Sequence, residues 1–180
     1  KISLKYLGIK IDSNLSFSSH LKDLAVKLYR SNGMLAKIRH YVNHETLINI
    51  YHAIFGSHLR YACQVWGQIQ SHAFQRISNL QNKALRIIYF QNYHSNSDIP
   101  YFLFKILKLC DLVHLLNCLF VSNHKQLNLP SFFFNFFTTK ESSHYYLRSL
   151  NNFKLSVPNH FSIKCGHKSI TIQSIKSWNN

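Results

Sequence analysis

Acidic residues are scarce in this chain. Its 180 residues include six Asp and Glu against 21 Lys and Arg, a formal net charge of +15 with neutral histidines. Polymerases and nucleases that use two metal ions need carboxylates that converge on one site. Only Asp12 and Asp23 lie near each other in the sequence. Asp12 is typical of a turn and Asp23 suits the first turn of a helix. We therefore expect no catalytic residues in this chain.

Glycine and cysteine are also few. The five glycines form no phosphate-cradling loop, and no Gly-x-Ser-x-Gly nucleophile motif is present. Both patterns of enzyme site are therefore excluded. The four cysteines are widely spaced without a Cys-x-x-Cys pair, which indicates reduced thiols of an intracellular protein, nuclear or cytoplasmic, rather than a disulfide framework. No apolar run approaches the roughly 18–20 residues of a bilayer span, so no membrane partner is expected.

Cations and apolar residues are abundant instead. The chain is 46% apolar, with 14 Phe and 10 Tyr, which is enough hydrophobic surface to fold. The excess of positive charge favours a polyanionic partner such as nucleic acid, while the alternative is a basic but merely solvated surface. Tyr51, Tyr61 and Trp66 sit among apolar neighbours, and we assign them to packing.

The first residues have the periodicity of a strand. Ile2, Leu4 and Tyr6 alternate with polar residues, and the parity changes at Gly8, where a bulge or a tight bend would allow the change. This pattern predicts a bent strand or a short hairpin.

Helical periodicity begins at Ser18 or Ser19, either of which is a possible N-cap. The first helix separates an apolar face from a cationic face. The cationic face consists of Lys22, Lys27, Arg30 and Lys37. Further helices are predicted over residues 45–55, 73–89 and 100–121, with Lys83 and Arg86 off the apolar stripe of the helix at 73–89.

Beyond Pro130 the pattern weakens to a Phe-rich block and short strand-like pieces around residues 161–175. The predicted fold class is mainly α, with an irregular α+β C-terminal tail. The predicted divisions are a short N-terminal β element at 1–17, a helical bundle at 18–92 and a C-terminal extension at 93–180, with the polar segment at 91–98 as the boundary.

Cys110, His114 and Cys118 recur every four residues, so a helix would place them near one another. A structural zinc ion needs a fourth ligand, for which Cys165 and His167 are candidates. The preferred interpretation is that Cys110 packs in the core as a small hydrophobic residue and that no metal is bound.

Five pieces of the sequence, the first made of two neighbouring segments, carry a resemblance to a known family. "KYLGIKID" and the following "LSFSSHL" resemble the end of the palm in reverse transcriptases of non-LTR (LINE-type, jockey-like) retrotransposons. "LAKIRHYVNHETLINIYHAIFGSHLRYACQVWG" resembles their helical thumb, and "LQNKALRIIY" resembles the helix that follows it. "HYYLRS" and "SIKSWNN" resemble their C-terminal region. The segments occur in the family's order along almost the whole chain.

The resemblance implies roles for particular residues. Tyr6, Leu7 and Gly8 match the Tyr-Leu-Gly motif of the hairpin that holds the primer terminus, the primer grip, or else anchor the junction of palm and thumb. The thumb of these enzymes rests against the product duplex. The implied contacts to the phosphates of an RNA–DNA or primed template duplex are Lys22, Lys27, Arg30, Lys37, Lys83 and Arg86. Arg86 has helix packing as its alternative role, and Trp66 is expected to be structural.

The resemblance also implies which parts of the parent enzyme are missing from this sequence. The adjacent aspartates of the family's palm are absent from this sequence, and Leu147 replaces a frequent Thr in "HYYLRS". We expect a truncated, non-catalytic fragment of an RNA-directed DNA polymerase that binds no cofactor itself. The parent enzyme would use Mg²⁺ in its palm, and the fingers and palm would be partners of this chain. The alternatives are a non-functional relic of a mobile element and a basic nucleic-acid-interaction module independent of polymerisation.

Overall fold

Helices dominate the computed structural model, which describes residues 3–68, 71–91, 98–137, 155 and 169–179. The predicted fold class, mainly α with a short N-terminal β element, is confirmed. The strands are β1 (Ser3–Tyr6) and β2 (Ile9–Asp12). The helices are α1 (Ser18–Ile38), α2 (His44–Tyr51), a π-helical segment (His52–Gly56), α3 (Ser57–Arg60), α4 (Cys63–Trp66), α5 (His72–Ile88), α6 (Asp98–Leu103), α7 (Leu109–Lys125), a 3₁₀ turn (Ser131–Phe133) and α8 (Ile170–Asn179).

The first strands form an antiparallel hairpin in which Tyr6 lies opposite Ile9. Leu7 and Gly8 make the turn with φ values of 45° and 82°, the positive values that a two-residue type I′ turn requires at both central positions. Of the two predicted alternatives, the hairpin is therefore the correct one. Ile9 is buried, whereas Tyr6 and Leu7 are exposed.

Helix α1 begins at Ser18, and Phe17 is the residue that precedes it, with a φ of 50°. The prediction that Ser18 or Ser19 caps this helix is wrong. The carboxylate of Asp12 orders the entry instead, because it accepts hydrogen bonds from the backbone amides of Ser16 (2.6 Å) and Phe17 (3.2 Å). The predicted turn at Asp12 is confirmed by the bond from the Leu15 amide to the Asp12 carbonyl (2.9 Å).

The core lies where α1 packs along α5. Leu21, Leu28 and Leu35 on α1 are fully buried, and each such side chain stabilises the fold by about 1.5–3 kcal/mol. Two polar groups on the same face of α1 are also buried. The Asn32 amide donates to the Leu80 carbonyl (3.0 Å), and the Ser31 hydroxyl donates to the Ile54 carbonyl (3.0 Å). These bonds connect α1 to α5 and to the π-helical segment.

The helix predicted over residues 100–121 is divided in two, so that prediction is wrong. After α6 the chain turns at Lys105, which has a φ of 52°. Gln81 of α5 holds the connection: its side-chain amide donates to the Leu107 carbonyl (2.9 Å), and its side-chain oxygen accepts from the Leu109 amide (3.0 Å). A tertiary contact with α5 therefore determines where α7 begins.

The chain divides into two units, Lys1–Leu112 and Val113–Asn180. The domain boundaries proposed from the sequence stay predictions. In the second unit, Val121, Phe137, Leu155 and Ile175 form a hydrophobic cluster. Helix α8 covers residues 170–175, where strand-like pieces were predicted, so that part of the prediction is wrong; residues 161–168 lie outside the described residues.

In the second unit, the side chain of Asn179 makes two hydrogen bonds with the backbone of Leu155. The Asn179 oxygen accepts from the Leu155 amide (3.0 Å), and the Asn179 nitrogen donates to the Leu155 carbonyl (2.9 Å). Asn179 and Trp178 form the Trp-Asn pair within "SIKSWNN". This pair of bonds gives the Asn a structural role inside its own unit. Among the described residues, no helix combines the length and the apolar character needed to cross a membrane.

Candidate nucleic-acid interface

The outer face of α1 carries four cations, interspersed with one carboxylate and with exposed apolar side chains. Lys22, Lys27, Arg30 and Lys37 are all exposed, while the opposite face of the helix is buried. At 1.5 Å per residue the 21-residue helix is about 30 Å long, so these charges are distributed over that length. Asp23 is the acidic residue within α1. We call Lys22, Lys27, Arg30 and Lys37 the cationic face.

Lys83 of α5 lies at one edge of this face. Its ammonium group is 5.5 Å from the ring centroid of Tyr29, which is an exposed residue of α1. The structure therefore brings Lys83 next to the cationic face, as expected for a shared surface. Arg86 is half-buried, and its charge acts on Tyr101, whose pKa is raised chiefly by burial and lowered in part by Arg86.

At the start of α1, the hairpin encloses a cleft of about 420 Å³. We call it the hairpin cleft. Its lining includes both the turn of the hairpin and one residue of the cationic face, so two groups predicted separately from the sequence meet here. The residues that line the cleft include Lys5, Leu7, Gly8, Lys10, Lys27 and Tyr61. Tyr6, the remaining residue of the Tyr-Leu-Gly motif, is an exposed residue of β1.

A hydrogen bond attaches the hairpin turn to the helices. The hydroxyl of Tyr61 donates to the Leu7 carbonyl at 2.5 Å, and Tyr61 is 54% exposed. The assignment of Tyr61 to core packing is therefore wrong, whereas Tyr51 and Trp66 are buried as predicted. Trp66 supports this arrangement, since its indole N–H donates to the Tyr61 carbonyl (3.0 Å). No periodicity in the sequence indicates a partner so far away in the chain.

Positive charge exceeds negative charge in the hairpin cleft. Asp23 forms an ion pair with Lys10 (2.6 Å), and the hydrogen bond from Lys10 lowers the pKa of Asp23. Both partners are partly exposed, so the pair contributes about 0–1 kcal/mol to stability. The buried ring of His20 also lines the cleft, and burial lowers its pKa, which favours the neutral form of the ring. Lys5 and Lys27 therefore leave a net positive charge for an anionic ligand.

The metal hypothesis concerns α7. The Cys110 side chain is exposed, so its predicted role in the core is wrong, and the Cys118 thiol donates to the Ser177 carbonyl (3.5 Å). Within the part of the chain that the structure describes, no three His, Cys, Asp or Glu side chains are grouped so that they could hold a metal ion. The proposed fourth ligands, Cys165 and His167, lie outside the described residues. The zinc site stays a hypothesis, and the expectation that no metal is bound stays a prediction.

Fold and surface together define a basic, mainly helical module whose longest helix presents a cationic face beside a β-hairpin. No protein-family model matches the chain, and no solved structure matches it. Two transposon proteins of Drosophila melanogaster match part of the chain in sequence. A probable RNA-directed DNA polymerase from transposon X-element is 32% identical over 87 residues, which is 47% of this chain and 10% of the relative. A probable RNA-directed DNA polymerase from transposon BS is 30% identical over 105 residues, 54% of this chain and 10% of the relative.

The chain thus matches about a tenth of the length of each of these relatives. The resemblance to reverse transcriptases of non-LTR transposons is confirmed, and this chain is similar to a part of such an enzyme.

Proposed function

We propose that this chain is the thumb region of a transposon-encoded RNA-directed DNA polymerase and that it grips the template–primer duplex through its phosphates. The similarity to two polymerases supports the parent activity. The observation that best supports the proposed role of this region is the position of Lys27, which belongs both to the cationic face and to the hairpin cleft. Cations are therefore present both in the hairpin cleft and along the exposed side of α1.

The chemistry of this surface suits phosphates rather than base edges. Lysine and arginine on an exposed convex helix meet the backbone of a duplex and provide affinity with little sequence preference. About 30 Å of helix, from the length of α1, accommodates several successive phosphates. The lysines of the hairpin cleft would hold the strand at the hairpin turn, where Gly8 lets the backbone approach a ligand closely.

The contribution of this region to synthesis would be to position the primer. A duplex held in one orientation keeps the primer end where it can react, which lowers the entropic part of the barrier. In this proposal, the carboxylates and the Mg²⁺ ions that perform the chemistry belong to the palm of the parent enzyme. The residues of the cationic face and of the hairpin cleft bind and orient, and they transfer no proton.

Equilibrium binding to a fluorescently labelled blunt RNA–DNA duplex tests the proposal. The variant that combines Lys22→Ala, Arg30→Ala and Lys37→Ala should bind at least about tenfold more weakly than the wild type at moderate salt. The matched control combines Arg60→Ala, Lys105→Ala and Lys176→Ala. It removes the same charge from three exposed positions outside the cationic face and the hairpin cleft.

Equal losses in the two triple variants would mean that net charge alone binds the duplex and would contradict a specific surface. Equal affinity of the wild type for duplex, single-stranded RNA and heparin would favour the alternative of a general basic interaction module. Absence of binding by the folded wild type would favour a relic.

A further inference from the structure

A second cluster of cationic and aromatic side chains lies at the other end of α1. The guanidinium carbon of Arg39 is 4.8 Å from the ring centroid of Phe90. The rings of His40 and His44 meet the same phenyl ring at near-perpendicular angles, with centroids 5.5 and 5.6 Å away. These residues come from the end of α1, the start of α2 and the end of α5, so three segments converge on one ring. We call this cluster the Phe90 platform.

The backbone at Phe90 adopts a conformation that is energetically costly for a residue other than glycine. Helix α5 ends in a Schellman motif, in which the Phe90 amide donates to Ile87 and the Gln91 amide donates to Arg86. Phe90 occupies the left-handed position of this motif with a φ of 55°, a position that usually belongs to glycine. The ring is nevertheless 47% exposed. Core packing therefore does not explain why a bulky aromatic residue stands there.

The surroundings of the ring suit an anionic ligand with a flat part. The Arg39 side chain donates through Nε to the His40 ring (3.1 Å), which orients the guanidinium over Phe90. The segment 39–45 contains Arg39 and two histidines against one carboxylate, Glu45, and its Tyr41 is 86% exposed. Stacked arginine and aromatic planes bind unpaired bases, and nearby nitrogen donors bind the phosphates between them.

We propose that the Phe90 platform binds unpaired nucleotides of a single strand that extends from the duplex on the cationic face. The base would stack on the Arg39–Phe90 pair, and His40 and His44 would donate to its phosphates. The platform follows the Lys37 end of the cationic face, and the hairpin cleft lies at the opposite end of α1, about 30 Å away. This inference rests on the proposed function, because the strand it binds is the continuation of the duplex gripped by α1.

The test compares a blunt RNA–DNA duplex with the same duplex carrying a short single-stranded RNA extension. The wild-type chain should bind the extended duplex at least about fivefold more tightly, the effect of one stacked base. A fluorescent 2-aminopurine in the extension should be quenched on binding, since stacking quenches this base. Variants at Phe90 should then separate the role of the ring from that of the backbone.

Phe90→Gly is the main variant, because glycine adopts the left-handed conformation and keeps the end of α5 intact. It should lose the advantage of the extension and the quenching while binding the blunt duplex as the wild type does. Phe90→Tyr, which keeps the ring, should retain both. The control Phe102→Ala removes a ring that is 84% exposed on α6 and should change neither.

The outcomes distinguish this inference from the proposed function. Duplex binding without any gain from the extension would overturn the platform and leave the duplex grip intact. No duplex binding, together with single-strand binding that Phe90→Gly abolishes, would overturn the grip and support the platform as a single-strand site. Competition by polyglutamate as effective as that by RNA, without quenching, would indicate an acidic polypeptide ligand and overturn the inference.

Discussion

The hydroxyl of Tyr61 donates a 2.5 Å hydrogen bond to the backbone carbonyl of Leu7, a residue 54 positions earlier in the chain. Leu7 lies in the turn of a two-stranded hairpin whose first strand is exposed along its whole length. An isolated hairpin of two strands is marginally stable in water. The contact with Tyr61, together with the burial of Ile9, therefore keeps the hairpin against the helices and maintains the cleft.

Replacing Tyr61 with Phe should loosen the hairpin without unfolding the chain. The lost hydrogen bond is partly exposed and should reduce local stability by about 1 kcal/mol. Amide hydrogen exchange should become faster in β1 and β2, and the affinity for a blunt duplex should fall a few-fold. Tyr29→Phe is the control, because it removes a hydroxyl from α1 and keeps the ring beneath Lys83. Unchanged exchange in the hairpin of the Tyr61 variant would show that this bond does not hold it.

Gly8 should tolerate Asn better than Ala. Its φ of 82° is strained for an L-residue, while a Cβ atom would lie 4.0 Å from the Tyr61 ring, an ordinary contact. The cost of Gly8→Ala is therefore conformational, about 1 kcal/mol, and Asn, which adopts left-handed conformations more readily, should lose less. Urea denaturation measures both. A larger loss for Asn than for Ala would indicate crowding rather than backbone strain.

Gln81→Leu should be strongly destabilising. The Gln81 side chain is 1% exposed and bonds to the backbone of Leu107 and Leu109 and to the Tyr51 hydroxyl. Leucine would leave these buried groups without partners, at a cost of about 3 kcal/mol in the free energy of unfolding. Gln75→Leu makes the same change at an exposed position of α5 and should alter stability by less than about 0.5 kcal/mol. A Gln81→Leu chain as stable as the wild type would contradict the proposed role in fixing α7.

Acidification should weaken the fold partly through His20. Burial is the main cause that lowers its pKa below the ordinary 6.5, so the unfolded chain binds a proton at this site more readily than the folded chain. Stability is therefore fully present above pH 6.5, begins to fall as the pH drops through that value, and stops falling below the lowered pKa. His20→Gln should reduce this pH dependence in urea denaturation between about pH 5 and 8.

His52 is a second source of the same effect, because burial and the charge of Arg60 both lower its pKa. The variant with both histidines replaced should depend less on pH than either single variant. A pH dependence identical to that of the wild type would exclude both rings as its source.

The amphipathic helices were predictable because their pattern repeats within the helix itself. The apolar stripe of α5 led to bounds of 73–89, and the helix is His72–Ile88. The cationic face of α1 followed from spacing in the same way. These features depend on neighbours three or four positions away, which a single sequence displays.

The features that the sequence did not reveal depend on distant contacts. The break before α7 requires Gln81, and the role of Tyr61 requires Leu7. The helix predicted at 45–55 is α-helical only as far as Tyr51, and residues 52–56 form a π-helical segment. The Ile54 carbonyl of this segment accepts the hydrogen bond from Ser31. The Phe90 platform joins residues about 50 positions apart. The local periodicity of the sequence does not indicate such distant pairs.

The central claim is that the cationic face of α1 binds duplex phosphates, and the salt dependence of binding tests it most directly. Each phosphate contact contributes about 0.9 to the slope of log affinity against log salt concentration. Replacing Lys22, Arg30 and Lys37 together with Ala should reduce the magnitude of that slope by about 2–3 relative to the wild type. The charge-matched Arg60, Lys105 and Lys176 variant should keep the wild-type slope. An unchanged slope in the α1 variant would contradict the account and place the duplex on another surface.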